Sequence, residues 1–332
     1  MSRVFIEGFE LKHLQNWTQN NWMVISTYST AIGLTGNYSA YGAESGCNLS
    51  KDISNQSEMY ISARCFFQLN RDNNERLFLF SQGTTYLGYI NVDINGYTNH
   101  IRAGFTGTTF EGTFNITTGI PYRIEARYKP STSNTGNFQV KVNGILDIDK
   151  TSTITATVTK NIDRITIMCP VDQTYIDDIV FDNSEWPGNT RIQSMMPDGA
   201  GTAALWTPSA VDNYDCVNDL STTITAVDAD YVYASSVIKL DAYTMSSLIS
   251  GTNPITEIKC IQVTARAKID GVCTANAMKL KVITTSPATY ESAAFQVQED
   301  AWAHYTFIKS DTANITVAKM ENISIGLETT TV

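Results

Sequence analysis

Apolar residues recur along this chain with a period of two and rarely with the period of a helix, which predicts strands almost throughout. Residues 59–67 form one such run, and the polar stretch Asn70-Arg-Asp-Asn-Asn turns it. Runs at 76–81 and 86–94 follow, and Asn95-Gly96 behind them is a strong hairpin signal. Further strands are predicted at 122–129 and 138–142. Asn143-Gly144 turns the second of these back into 145–148, and runs at 164–169 and 175–181 complete the first half. Strands at this spacing with no helices between them predict an antiparallel β-sandwich.

The pattern breaks at Asn183-Ser-Glu-Trp-Pro-Gly-Asn, which places a domain boundary near 187. Residues 191–219 read as irregular. Strand signals resume at 231–233 and 255–267, and Asp270-Gly271 is expected to turn the latter into 277–283. Runs at 304–308 and 323–327 complete a second, smaller sandwich. One short helix is expected at 241–248, with Asp241 as its cap. The fold class is therefore all-β, with two antiparallel β-sandwich domains at 1–187 and 188–332. A length of 332 residues suits two domains.

Composition narrows the functional classes. Lys and Arg total 23 against 33 Asp and Glu, a net charge of −10, and there is no basic stripe. Nucleic acid is thereby excluded as a partner, because phosphate binding needs clustered cations. Charged residues are only 17% of the chain, and Thr, Ser, Asn and Gly replace them. No apolar run reaches membrane-spanning length, so no membrane insertion is expected. The N-terminal residues carry no signal-peptide pattern, which predicts synthesis in a cytosol without signal-peptide export. The Asn-x-Ser/Thr triplets at Asn16, Asn37, Asn48, Asn55, Asn115, Asn314 and Asn322 are a chance product of composition.

The strands also carry a resemblance. Phe5-Ile-Glu-Gly-Phe-Glu, Pro121-Tyr-Arg-Ile-Glu-Ala-Arg-Tyr, Phe138-Gln-Val-Lys-Val-Asn-Gly and Ile176-Asp-Asp-Ile-Val-Phe occur in the order of strands in the concanavalin A-like, laminin-G-like jelly roll, which the first half resembles. Gly188-Asn-Thr-Arg-Ile-Gln-Ser-Met-Met-Pro-Asp-Gly, Leu205-Trp-Thr-Pro and Tyr214-Asp-Cys-Val-Asn-Asp look like the continuation in bacteriophage virion proteins with that domain in front. The resemblance implies a non-enzymatic virion structural protein on the particle exterior (tail, neck or capsid), extracellular after lysis. Its implied partners are other virion proteins, copies of itself and host-surface glycan, with the second domain serving attachment or oligomerisation. Two other classes stay open: a dedicated glycan-binding, lectin-like module, and more remotely a polysaccharide-degrading enzyme.

Candidate chemistry is sparse. Glycoside hydrolases of the jelly-roll class carry E-x-D-x-x-E on one strand, and that motif is absent. Asp177 and Asp178 are neighbours on one strand, so regular alternation would send them to opposite faces. They are the metal candidates, as hard oxygen ligands for Ca2+, and otherwise no cofactor is expected. Asp228 and Asp230 share an i,i+2 spacing but lack the rest of an EF-hand pattern. No G-x-S-x-G elbow occurs, and three scattered histidines make no triad, so no catalytic residue is nominated. Six widely spaced cysteines provide no zinc template. They read as buried small hydrophobes or as disulfides formed in an oxidising medium. Sugars stack on exposed aromatic rings, which makes Tyr38, Tyr41, Tyr97 and His100 the glycan-binding candidates.

Overall fold

A computed structural model describes residues 3–9, 14, 17–27, 34, 38–68, 75–94, 99–105, 107–131, 135–154, 161–218, 230–248, 255–271, 273–284, 289–310, 312–313 and 315–331. The chain divides into two compact units, Met1–Ile192 and Gln193–Val332.

The first unit holds β1 (Arg3–Glu7), β2 (Gln19–Asn21), β3 (Val24–Ser26), β4 (Ser39–Gly42), β5 (Asn48–Gln56), β6 (Met59–Phe67), β7 (Glu75–Gln82), β8 (Thr85–Val92), β9 (Ile101–Phe105), β10 (Thr108–Glu111), β11 (Pro121–Lys129), β12 (Gly136–Val142), β13 (Ile145–Ile154), β14 (Ile162–Met168) and β15 (Thr174–Asp182). They make two antiparallel sheets. The eight-stranded sheet runs β13-β12-β11-β6-β15-β4-β3, with β1 also on β15. The seven-stranded sheet runs β10-β9-β8-β7-β14-β5-β2. Alternation sends Ile61, Ala63, Ile124, Ala126 and Tyr128 inward from the first sheet. They meet Phe78, Phe80, Ile165 and Ile167 of the second in one fully buried core. This is the sandwich that period-two alternation predicts. At the Asn143-Gly144 turn both residues take positive φ, 51° and 85°, as a tight hairpin between β12 and β13 requires.

The second unit holds β16 (Pro197–Ala204), β17 (Thr207–Pro208), β18 (Val232–Tyr233), β19 (Leu240–Met245), β20 (Ile261–Ala267), β21 (Ala277–Ile283), β22 (Thr289–Glu291), β23 (Phe295–Gln296), β24 (Ala303–Lys309), the four-residue helix α1 (Val317–Met320) and β25 (Ser324–Thr330). A six-stranded sheet runs β16-β19-β25-β21-β22 with β23 on β21, and β17-β18 and β20-β24 pair separately. Met278, Leu280 and Val282 of β21 share a core with Ile261 and Val263 of β20, so the sheet packs on the β20–β24 ribbon.

Three local expectations are corrected. The helix expected at 241–248 is strand β19 over Leu240–Met245, paired on both edges with β16 and β25. Asp241 does not cap a helix: it is buried and accepts hydrogen bonds from the Tyr243 hydroxyl and the Asn213 amide, both at 2.6 Å. The irregular reading of 191–219 missed β16. Its glycines read as loop, but a Cβ on Gly201 would lie 2.7 Å from the Ala242 carbonyl, so the glycine permits close pairing. Asp270-Gly271 does not join β20 to β21 as a hairpin, because β20 pairs with β24 from Ile261↔Lys309 to Ala267↔Ala303. A local turn reverses the chain without choosing its partner. Among the described residues no helix is long and apolar enough to cross a membrane.

Candidate functional site

The outward face of the eight-stranded sheet is crossed over β12, β11, β6 and β15 by the chain itself. After β15 the segment 183–192 crosses this face as a strap. Trp186 packs edge-on against Tyr60 at 5.4 Å, and the Lys141 ammonium lies 4.0 Å above the indole. The Gly188 N–H donates to Glu125 at 3.0 Å, and Arg64 donates to Asn189 at 2.9 Å. The Ile192 N–H donates to Asp178 Oδ1 at 2.7 Å. Glu125 is also paired with Arg123, and Asp178 with Arg64. These polar groups work in holding the strap.

The seven-stranded sheet presents a different outward surface over β7–β10. Cross-strand register sets Arg76 opposite Asn91, Asn91 opposite Arg102, and Arg102 opposite Glu111, a polar row across four adjacent strands. The next row sets Leu79, Tyr89, Gly104 and Thr109 side by side. Gly104 matters here because a Cβ on it would lie 2.5 Å from the Tyr89 hydroxyl and 2.6 Å from its ring. Tyr89 therefore lies across β9, and its hydroxyl reaches Thr109 Oγ1 on β10 at 3.0 Å. Tyr86 stands beside it at 57% exposure. The Arg76 guanidinium lies over both rings, 5.0 Å from Tyr86 and 5.6 Å from Tyr89.

Charges on this face are fixed by one another. Arg102 is paired with buried Asp93 at 3.3 Å and approaches Glu111 at 3.7 Å. His100 Nδ1 sits 3.3 Å from the other Glu111 oxygen. The result is an exposed Tyr86 ring beside a half-buried Tyr89 ring, with the Arg76 guanidinium over both and amide, hydroxyl, imidazole and carboxylate groups at their border. Apolar ring faces next to fixed donors and acceptors can take a sugar, whose C–H face stacks while its hydroxyls hydrogen-bond.

Of the residues the sequence nominates, His100 falls on this face. Tyr97 and the Asn95-Gly96 turn lie outside the described residues, as does Asp228. Tyr38 is half-buried against the main core. Tyr41 packs against Tyr175 at 4.6 Å, in a small cluster with Leu34 and Phe66 on the other sheet. The structure thus does not bring Tyr38 and Tyr41 to His100. Asp177 and Asp178 do not follow regular alternation. The β15–β6 register slips between Asp177↔Arg64 and Val180↔Ser62, a β-bulge, and Asp178 takes φ 47°. Both carboxylates are buried, at 1% and 2% exposure. Asp177 Oδ1 accepts the Asp178 N–H at 2.7 Å, and Asp178 holds Arg64 and the strap. Among the described residues no group of three or more His, Cys, Asp or Glu side chains is placed to hold a metal ion. Sequence reasoning missed Tyr86, Tyr89 and their polar neighbours, although alternation along 86–94 already turns Tyr89 and Asn91 away from Ile90 and Val92.

No protein-family model matches the chain, and no curated protein does. Solved structures do resemble it over about half its length. They include the endo-β-1,4-glucuronan lyase of the fungus Trichoderma reesei, at 11% identity and a TM-score of 0.42, covering 55% of this chain and 96% of that one. The cellulose-induced protein Cip1 is 15% identical at a TM-score of 0.43, covering 56% and 100%. A Trypanosoma rangeli sialidase is 13% identical at 0.35, covering 44% and 25%. Lyases and a sialidase stand where phage particle proteins were expected, and the virion structural reading and the expectation that the chain is not an enzyme are corrected accordingly. At these identities the likeness concerns the β-sandwich and brings no substrate to this chain.

Proposed function

We propose that the protein is a glycan-binding, lectin-like module that takes carbohydrate on the outward face of β7–β10. The observation that carries this reading is the Tyr89 ring laid over Gly104 beside exposed Tyr86, with Arg76, Asn91, Arg102, Thr109 and Glu111 around them. In this reading the two tyrosines stack a pyranose, and the polar row orients its hydroxyls. Nothing in the core of the sandwich requires an exposed tyrosine here, since Leu87, Ile90 and Val92 fill the inward positions of β8.

The test is a glycan array followed by titration calorimetry on the best ligand. Tyr86→Ala is expected to weaken binding about tenfold, the equivalent of one ring contact worth roughly 1–1.5 kcal/mol. The same change at so exposed a position should shift folding stability by no more than about 0.5 kcal/mol. Gly104→Ala places a methyl where the Tyr89 ring lies and is expected to weaken binding with Tyr89 still present. An array without any bound glycan, or full affinity in both variants, would refute the reading.

A further inference from the structure

We propose that Cys47 and Cys169 form a disulfide pair, closed by exchange with a small-molecule disulfide such as oxidised glutathione. The pairing of β14 with β5 ends at Met168↔Asn48, and the chain carries it one step further. The Cys169 N–H donates to the Cys47 carbonyl at 2.8 Å, and the Gly46 N–H donates to the Cys169 carbonyl at 3.0 Å. Gly46 has φ 86°, so this is a bulge with glycine in the left-handed position and Cys47 set against Cys169.

A third residue confirms how close the two side chains come. The position a Cβ would take on Gly42 of β4 is filled by Cys169 Sγ, and it lies 2.9 Å from Cys47 Cβ and 3.2 Å from Cys169 Cβ. Opposed residues of an antiparallel ladder keep their Cα atoms roughly 4.5–5.5 Å apart, inside the roughly 4.4–6.8 Å that a disulfide spans. Gly42 leaves the room that the sulfur uses. Both cysteines are buried, at 2% and 0% exposure.

The pair sits where the chain changes sheets. Residues 43–47 lead from β4 in one sheet to β5 in the other, and 169–173 lead back from β14 to β15. A bond here would tie the two crossings together. Burial pushes the Cys169 thiol well above its ordinary range. Cys169 is therefore rarely a thiolate in the finished fold, and with both side chains buried closure belongs to the folding chain, before the core shuts. One thiolate attacks the reagent disulfide, forms a mixed disulfide and releases one small thiolate. The second cysteine gives up its proton and attacks the protein-bound sulfur, releasing the other. Two protein thiols and one reagent disulfide become one protein disulfide and two small thiols.

A rival partner exists in Cys65 of β6, which is fully buried and close enough to interact electrostatically with Cys169. The experiment is to refold the full chain with oxidised and reduced glutathione, alkylate the remaining thiols in denaturant, and map digested peptides by mass spectrometry. The expected result is a peptide joining Cys47 to Cys169, two hydrogens lighter than its parts, with Cys65 alkylated. An unfolding midpoint about 5–10 °C above that of the reduced protein should accompany it. Six alkylated cysteines after oxidative refolding, or a peptide joining Cys65 to Cys169, would overturn the proposal. Because the decisive reading is on the unaltered chain, it does not depend on any variant folding.

Discussion

Tyr128→Ala is expected to lower the stability of the first unit by about 4–6 kcal/mol, a large share of the roughly 5–15 kcal/mol that holds a domain together. The ring is fully buried between the sheets, 4.8 Å from Phe138 and 5.3 Å from Phe80. Its far edge rests on Gly88, where a Cβ would lie 2.9 Å from the ring, so the cavity left by truncation has backbone for one wall. The hydroxyl donates to the Leu87 carbonyl at 2.7 Å inside the core, and alanine leaves that carbonyl without its partner. Tyr128→Phe separates the two contributions: it keeps the ring and should cost only about 1–2 kcal/mol. Urea unfolding followed by tryptophan fluorescence measures both. Equal losses for phenylalanine and alanine would mean that the hydrogen bond, rather than packing, fastens the sheets here.

Asp182→Ala is expected to cost about 3–5 kcal/mol through a different route. Asp182 and Arg3 pair at 3.1 Å with side chains almost wholly removed from water. The same carboxylate accepts the Ser184 N–H at 2.7 Å, the Ser184 hydroxyl at 2.9 Å and the Glu185 N–H at 3.0 Å. Its loss strands a buried guanidinium and frees the turn that starts the strap. Replacing both partners, as Arg3→Met with Asp182→Ala, removes the stranded charge. The double variant should therefore lose less than the two single variants added together. A strictly additive cycle would show that Arg3 finds solvent once its partner is gone.

Much of the architecture was legible because a strand with one buried face must alternate. Residues 59–67, 122–129 and 138–142 alternate cleanly and became β6, β11 and β12. Asn143-Gly144 demanded positive φ and obtained it. What escaped were features decided by distant partners. Asp241 looked like a helix cap because Asp favours caps locally, yet β25 and β16 supply its neighbours and Asn213 its hydrogen bond. The bulge at Asp177 and Asp178 breaks the alternation that a sequence reading assumes, since β15 pairs with β4 up to Ile176 and with β1 from Ile179. His100 was visible as a polar residue beyond a turn. Alternation turned Tyr89 outward as well, but that its ring lies across β9 depends on Gly104, which sits opposite it only once β8 and β9 pair.

The strap has a practical corollary for anyone excising the first unit from the chain. A fragment stopped at Pro187, where the composition changes, discards the Gly188 and Ile192 amides and the Asn189 side chain. Glu125 and Asp178 then keep their arginines but lose backbone donors, and Gly8 loses the Ile192 side chain packed on it. A fragment carried through Ile192 retains all of them and should resist trypsin or chymotrypsin markedly longer than the shorter one. A domain ends at the last hydrogen bond the chain makes back to it, which here lies beyond its last strand.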